Sequence, residues 1–358
     1  MWSLENITKS VDIWLNLQFS PTIAFLIEAV IIMVLVIGLF AFLGLVLVYM
    51  ERKVSSFMQI RLGPNRVGPM GIFQTAADTL KLIVKEGFTP NNVDKFLFNL
   101  APFIVMVVAM VVLAPFAFSK GFQIWDVNIG IFFITAISSL GVIGILTAGW
   151  SSNNKYSLLG AMRSGAQIVS YELSAGLTIL VIVMLTGSLR ISDIINAQAD
   201  GWWIFKGHIP AIIAFVIYII AATAETNRAP FDMAEAESEL TAGFHTEYSG
   251  MKFALFFLAE YANVFIVCAI GATLFLGGWM PLHFGENNWF NTIMDYIPGI
   301  VWFFGKTFFL IFVVMWFRWT FPRLRIDQLL NLEWKYLLPI SLFNLLLATV
   351  IAIAGWHF

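Results

Sequence analysis

The stretch IPAIIAFVIYIIAATAETNRAPFDMAEAESELTAGFHTEYSGMKFALFFLAEYANVFIVCAIGATLFL, residues 209–276, combines two kinds of chemistry. Apolar segments at 209–225 and 252–276 enclose a segment, 225–250, that is crowded with carboxylates. An apolar run of about 20 residues is long enough to cross a bilayer as a helix, because each residue adds about 1.5 Å. The stretch therefore predicts two membrane helices joined by an acidic connection.

The acidic segment 225–250 differs in composition from an ordinary surface loop. One arginine, Arg228, and one histidine, His245, lie among its carboxylates, which are Glu225, Asp232, Glu235, Glu237, Glu239 and Glu247. Large apolar side chains such as Phe231 and Leu240 are interleaved with these acids, whereas loops are typically rich in Gly, Ser and Pro. Pro230 suits the first turn of a helix running through Asp232 to Leu240. We expect a packed acidic segment at the chemical centre of the protein; the alternative is a solvated loop on the membrane surface.

The composition of the whole chain predicts an all-α, polytopic integral membrane protein. Hydrophobic residues make up 59% and charged residues 12%, about half the charged fraction of a soluble domain. Helices fit the long apolar runs, since strands of a membrane barrel would alternate in hydrophobicity. We expect the 358 residues to form one membrane domain with about eight spans, at 22–48, 96–118, 129–150, 166–187, 209–225, 252–276, 300–321 and 335–356.

Lysine and arginine are distributed unequally between the two sides of these spans. Most of them fall in four connections, which are 51–95, 151–165, 226–251 and 322–334. The positive-inside rule places these connections in the cytoplasm, or in the matrix of an organelle. The net charge of -2 and the lack of a basic arm or tail argue against nucleic acid as a partner.

The first connection, 51–95, is long enough to carry structure of its own. Gly63-Pro64 and Gly68-Pro69 predict turns, and the residues 72–85 then show helical periodicity. Apolar residues fall largely on one face of that helix, with Asp78, Lys81 and Lys85 on another. This pattern predicts an amphipathic helix at the membrane interface.

Cysteine and histidine are too few and too scattered for a redox centre. Cys268 is the single cysteine and lies in an apolar run, where it is expected to pack as a small hydrophobe. A cysteine-ligated cluster and an internal disulfide are therefore excluded, and the four histidines are not paired at metal-binding spacing. We expect no metal site, and no catalytic residue that acts in isolation.

Three glutamates interrupt or close apolar spans, namely Glu172, Glu225 and Glu260. Ionisable residues inside a bilayer are costly and commonly mark an ion path or a pairing between helices. Because they lead towards the acidic segment, we interpret them as part of a proton path; the alternative is that each only hydrogen-bonds a neighbouring helix.

Five motifs resemble the H-type membrane subunit of respiratory complex I, the proton-translocating NADH:quinone oxidoreductase. They are ERK at 51–53, MQIRLGPNRVGP at 58–69, ADTLKLIVKE at 77–86, the acidic segment at 225–250 and RWTFPRLRIDQLLNLEWKYLLP at 318–339. The resemblance covers almost the whole chain. It implies a subunit that joins the membrane arm to the peripheral arm, forms much of the quinone tunnel and couples quinone reduction to proton translocation.

The resemblance also implies roles for particular residues and partners. Residues along the quinone passage would be Arg52, Arg61, Arg228, Asp232 and Glu235, and the proton relay would comprise Glu172, Glu225, Glu239, Glu247 and Glu260. Quinone is then the substrate, while NADH, FMN and iron–sulphur clusters belong to partner subunits. The expected partners are the peripheral-arm subunits of the quinone site, the neighbouring membrane-arm subunits and the lipid bilayer.

Two other functions fit parts of the pattern. A membrane anchor of an energy-converting hydrogenase-type complex would share the spans and part of the acidic motif but would bind no quinone. A stand-alone proton-coupled carrier is disfavoured by the long connections and by the lack of an evident internal repeat. The expected location is the inner membrane of a bacterium, in preference to that of a mitochondrion.

Overall fold

A computed structural model describes residues 4–234, 237–283 and 289–355. Its helices in chain order are α1 Leu4–Gln18, α2 Pro21–Met58, α3 Gln74–Val84, α4 Lys95–Val112, α5 Gly130–Ser151, α6 Lys155–Thr186, α7 Ile191–Asn196, α8 Trp203–Lys206, α9 His208–Glu225, α10 Glu237–Leu240, α11 Gly250–Phe275, α12 Trp289–Asp295, α13 Gly299–Thr320, α14 Ile326–Leu332 and α15 Leu338–Ala354. Short 3₁₀ turns occupy Pro69–Gly71 and Gly243–His245, and a π-helical turn, Glu333–Leu337, joins α14 to α15. Two short antiparallel strands, β1 Ala117–Ser119 and β2 Phe122–Gln123, form a hairpin.

The predicted all-α, polytopic architecture is confirmed. Within the described ranges, eight helices are long and apolar enough to span a membrane: α2, α4, α5, α6, α9, α11, α13 and the continuous run Ile326–Ala354 through α14 and α15. The centre of the bundle is α11, which packs against α2, α4, α9 and α13. Cys268 is buried in this core, as expected for a small hydrophobe.

The four lysine- and arginine-rich connections meet at one end of the bundle, which we call the basic face. Asp94 N donates to Ser151 O at 3.2 Å, and Leu324 N donates to Pro230 O at 3.1 Å. Phe88 N donates to the Ser249 hydroxyl at 3.2 Å. The connections are therefore bonded to one another and form a single layer across this end.

Helix α2 extends well into the first connection. It continues without a break to Met58, so residues 51–58, expected in a loop, are helical. The chain has neither proline nor glycine between Ser55 and Leu62, and the helix ends before Gly63-Pro64. As a result Glu51 and Arg52 are carried on a rigid helix at the basic face. The predicted interfacial helix is α3, and its exposed Leu80, Ile83 and Val84 form an apolar surface.

The prediction of a helix starting at Pro230 was wrong. Residues 229–234 form turns, and the next helix that the structure describes, α10, begins at Glu237. A side chain of α6 stabilises these turns, because the Gln167 amide donates to Ala224 O and to Phe231 O, each at 2.7 Å. These bonds satisfy backbone carbonyls that a helix would have used internally.

Candidate functional site

The centre of the site is the carboxylate of Glu51 on α2, which receives donors from three other elements. Tyr261 Oη donates to Glu51 Oε2 at 2.8 Å, and Nη1 of Arg228 lies 3.0 Å from the same oxygen. The guanidinium of Arg318, near the end of α13, donates to Oε1. Three regions of the sequence thus converge on one carboxylate, whose side chain is only 12% exposed.

Arg228 connects this carboxylate to a second one. Its Nε lies 2.9 Å from Oε1 of Glu260 on α11. Its guanidinium carbon lies 4.4 Å from the centre of the Tyr261 ring, in a cation–π contact. The Arg228 side chain is 8% exposed, so both ion pairs are largely shielded from solvent.

Glu51, Glu260, Arg228 and Arg318 form what we call the charge cluster. Its two acids and two bases balance formally. Charges interact more strongly where water is excluded, and a buried ion left without its partner is strongly unfavourable. A change in charge at any member of the cluster therefore alters the free energy of keeping the other three charged in this buried site.

A cavity of about 510 Å³ lies on one side of the charge cluster, between α2, α3 and α11. We call it the α2–α11 cavity. Its walls are mostly apolar, and Arg52 and Tyr261 contribute polar groups to its lining. Arg52 Nη1 donates to Asp78 Oδ2 at 2.5 Å. Burial raises the pKa of Asp78, but the Arg52 guanidinium outweighs burial and holds that pKa below its ordinary value.

A second cavity, of about 70 Å³, lies on the other side of α11, among α4, α5, α6 and α9. We call it the α5–α11 cavity. Glu225 and Glu260 both line it, together with Asn263 and Ser138. Glu260 and Tyr261 are consecutive on α11, and each lines a different cavity. The charge cluster therefore lies at the junction of the two cavities.

Asp232 belongs to a separate ion pair on the basic face. Nη2 of Arg323 lies 2.7 Å from Asp232 Oδ2. The backbone bond from Leu324 N to Pro230 O runs beside this pair. The connection after α13 is thus fastened to the acidic segment by one charged and one neutral contact.

The remaining predicted residues are distributed over the basic face and α6. Glu239 is 57% exposed and pairs with Arg163 at 2.6 Å, and this guanidinium holds the pKa of Glu239 below its ordinary value. Glu247 accepts from the Asn154 amide at 2.6 Å. Glu172 is partly buried on α6, and Arg61 lies in an exposed turn after α2. Glu235 lies outside the described residues.

Four residues of the site region had no predicted site role: Glu51, Tyr261, Arg318 and Glu333. The acid at the end of the first apolar span, directly before Arg52 and Lys53, was a signal that could have identified Glu51. Glu333 is fully buried in the π-helical turn, and its carboxylate accepts from the Ser174 hydroxyl. The helical periodicity of the sequence did not predict that Glu333 is buried, because a π turn changes the side of the helix to which the following side chains point.

His245 lies among aromatic side chains. Among the described residues, no three His, Cys, Asp or Glu side chains are arranged to hold a metal ion. His245 packs edge-on against the rings of Phe244 and Phe253, and burial lowers its pKa to about 4. The neutral imidazole is therefore part of an aromatic cluster in the wall of the basic face.

Comparison with known proteins bears on the identity of this chain. The family model described as NADH dehydrogenase matches residues 29–349. A protein of Bacteroides thetaiotaomicron is 60% identical over 94% of both chains, and one of Bacteroides fragilis is 57% identical over 100% of both. A more distant relative from Brevibacillus brevis is 47% identical over 93% of this chain and 95% of its own. All three are named as the same, H-type subunit of NADH-quinone oxidoreductase. The chain belongs to this family of membrane subunits of NADH-quinone oxidoreductase, the respiratory complex I.

Proposed function

We propose that this subunit forms the membrane part of a quinone passage and couples quinone reduction to proton translocation. The observation that carries the proposal is the position of the charge cluster between the two cavities. Tyr261 faces the larger cavity and Glu260 the smaller one. Arg228 lies against both residues.

The α2–α11 cavity suits the quinone side of this proposal. A volume of about 510 Å³ is within the range of small-molecule sites, which are mostly apolar with a few polar groups. Quinones have an apolar tail and two carbonyl acceptors, and the Arg52 guanidinium, which has N–H groups beyond the one it donates to Asp78, is the matching donor. Arg61 and Asp232 would then lie nearer to the peripheral arm, outside this cavity, and Glu235 is proposed for the same passage.

The α5–α11 cavity suits the proton side. Its lining contains two glutamates, Glu225 and Glu260, and also other polar side chains that can hydrogen-bond water. A change in charge at Glu51 or Tyr261 would alter the hold of Arg228 on Glu260, and with it the affinity of Glu260 for a proton. Glu172, Glu239 and Glu247 would extend the relay towards neighbouring subunits.

The same proposal specifies partners, cofactors and location. Peripheral-arm subunits would carry NADH, FMN and iron–sulphur clusters and would dock on the basic face. The basic face would lie in the cytoplasm and the bundle in the inner membrane of a bacterium, as the positive-inside rule and the bacterial relatives support. We prefer this function to that of a hydrogenase-type anchor or a stand-alone carrier, because the relatives' names specify a quinone oxidoreductase.

The proposal is tested with Glu260→Gln in the complete complex, reconstituted into sealed vesicles. Glutamine keeps the shape of the side chain but cannot release a proton, and Arg228 keeps Glu51 as its partner. We expect fewer protons translocated per NADH oxidised, with the complex intact. Asp200→Asn is the matched control, because its carboxylate is 90% exposed and lies away from the cluster. An unchanged ratio of protons to electrons in Glu260→Gln would refute the relay.

A further inference from the structure

The lining of the α2–α11 cavity carries more positive charge than its one carboxylate neutralises. Three cations, Arg52, Lys81 and Lys85, and one carboxylate, Asp78, belong to it, which leaves a net charge of +2 (three minus one). Arg52 pairs with Asp78 at 2.5 Å, whereas Lys81 is 3.6 Å from the same carboxylate and 75% exposed. Lys85 is exposed and has no ion pair within the described ranges. Two lysines are thus available to an anion.

The cations and the apolar wall occupy different parts of the cavity. Lys81 is on α3 and Lys85 directly follows its last residue, so both lie in the first connection, on the basic face. Leu45 on α2 and Leu258 on α11 line the wall that lies within the span. A ligand that fills this cavity therefore meets positive charge at the interface and hydrocarbon below it.

A neutral quinone leaves these lysines unexplained, because its head group carries no charge for them to neutralise. An anionic lipid matches both halves of the cavity. Basic pockets between spanning helices on the cytoplasmic side are a setting in which anionic head groups bind, and an acyl chain gains about 0.8 kcal/mol for each buried methylene.

We propose that the α2–α11 cavity also binds an anionic phospholipid, with its phosphate at Lys81 and Lys85 and an acyl chain between α2 and α11. The lipid would share the passage assigned above to quinone. It would occupy the opening beneath α3 when no quinone is passing. The proposal depends on lipid binding alone, so that it and the proposed function can fail separately.

The test uses the complete complex in vesicles of phosphatidylcholine that contain a small fraction of phosphatidylglycerol with a photoreactive acyl chain. After illumination, labelled peptides are identified by mass spectrometry. We expect labels on α2 and α11, near Leu45 and Leu258. A phosphatidylcholine probe with the same photoreactive chain should label these positions about tenfold less, because its head group has no net charge.

The variant K81Q/K85Q removes the two cations and shortens each side chain by only one atom. We expect labelling by the anionic probe to fall by about tenfold, to the level of the zwitterionic probe. Lys120→Gln, in the exposed β1–β2 turn at the opposite end of the bundle, should leave labelling unchanged. Assembly is checked for each variant on a native gel and by NADH oxidation with an artificial acceptor.

Three results would overturn the proposal. They are equal labelling by the two probes in the unmodified complex, undiminished anionic labelling in an assembled K81Q/K85Q complex, and labels confined to helices other than α2 and α11. Each of them is independent of whether quinone reduction proceeds, because the readout is the position and amount of bound lipid.

Discussion

Glu51 and Arg228 are 177 positions apart in the chain, yet Nη1 of Arg228 lies 3.0 Å from Glu51 Oε2. The contact joins the first long helix to the start of the acidic segment. Both side chains are almost completely buried, so their mutual attraction must offset the cost of removing both charges from water. This pair therefore depends on the whole bundle being assembled around it.

Glu51→Gln should destabilise the subunit and slow quinone reduction. Arg228 and Arg318 would lose a charged acceptor, while the Tyr261 hydroxyl would keep a neutral one. Breaking a buried ion pair costs about 3–5 kcal/mol, so we expect about 3 kcal/mol here, measured from thermal inactivation of the purified complex. Asp200→Asn is the control, since the Asp200 side chain is 90% exposed and its pair with Lys206, at 3.7 Å, should contribute less than about 1 kcal/mol. Equal effects of the two changes would contradict the importance of the cluster.

His245 should make the subunit less stable in mild acid. Its pKa is about 4 in the folded protein and about 6.5 when unfolded, so the unfolded chain binds more protons between these values. The contribution of His245 to the stability of the folded state is therefore fully present above about pH 6.5, and it is lost as the pH falls towards 4. From pH 7.5 to 5.5 the loss is about 1.4 kcal/mol.

His245→Phe provides the measurement for this pH dependence. Phenylalanine keeps an aromatic ring among Phe244 and Phe253 but takes up no proton. We expect the inactivation temperature of the variant to fall less than that of the unmodified complex between pH 7.5 and 5.5. A parallel decline in both would show that His245 does not cause the acid sensitivity.

Lys306→Met should destabilise the end of α11 opposite the basic face. The Lys306 ammonium is buried and donates to the carbonyls of Leu276, Gly278 and Met280, at 2.5, 3.0 and 2.5 Å. Methionine fills similar space but leaves these acceptors unpaired, at a cost of about 3 kcal/mol in total. Thermal inactivation of the complex is the measurement, with Lys120→Met as the exposed control. Loss of stability equal to that of the control would show that water replaces the ammonium at no cost.

Much of the fold was accessible from hydrophobicity alone, because a bilayer restricts a long apolar run to a helix. The amphipathic helix α3 was equally accessible from its periodicity. The helical extension of α2 to Met58 was missed, since charged residues such as Arg52 read as the start of a loop. Lys306 falls in the predicted span 300–321, and hydrophobicity did not indicate that its ammonium would be buried against the backbone of residues 276–280.

The site was predicted less completely, because its geometry depends on contacts between distant segments. Arg228 and Glu260 were both singled out, but nothing in the spacing indicated that they are 2.9 Å apart. Glu51 supplies the link between Arg228 and Arg318, and its place at the start of the first connection gives no direction in space. Asp232 likewise acquires its partner, Arg323, only through tertiary structure.

The measurement that tests the quinone role most directly is NADH:quinone reductase activity of membranes that carry Asp232→Asn. The change removes the charge that pairs with Arg323 and keeps the size of the side chain. We predict lost quinone reduction, with the complex intact on a native gel and electron transfer to an artificial acceptor retained. Asp200→Asn should behave like the unmodified complex. Normal quinone reduction in an assembled Asp232→Asn complex would contradict a role of the acidic segment in the quinone step.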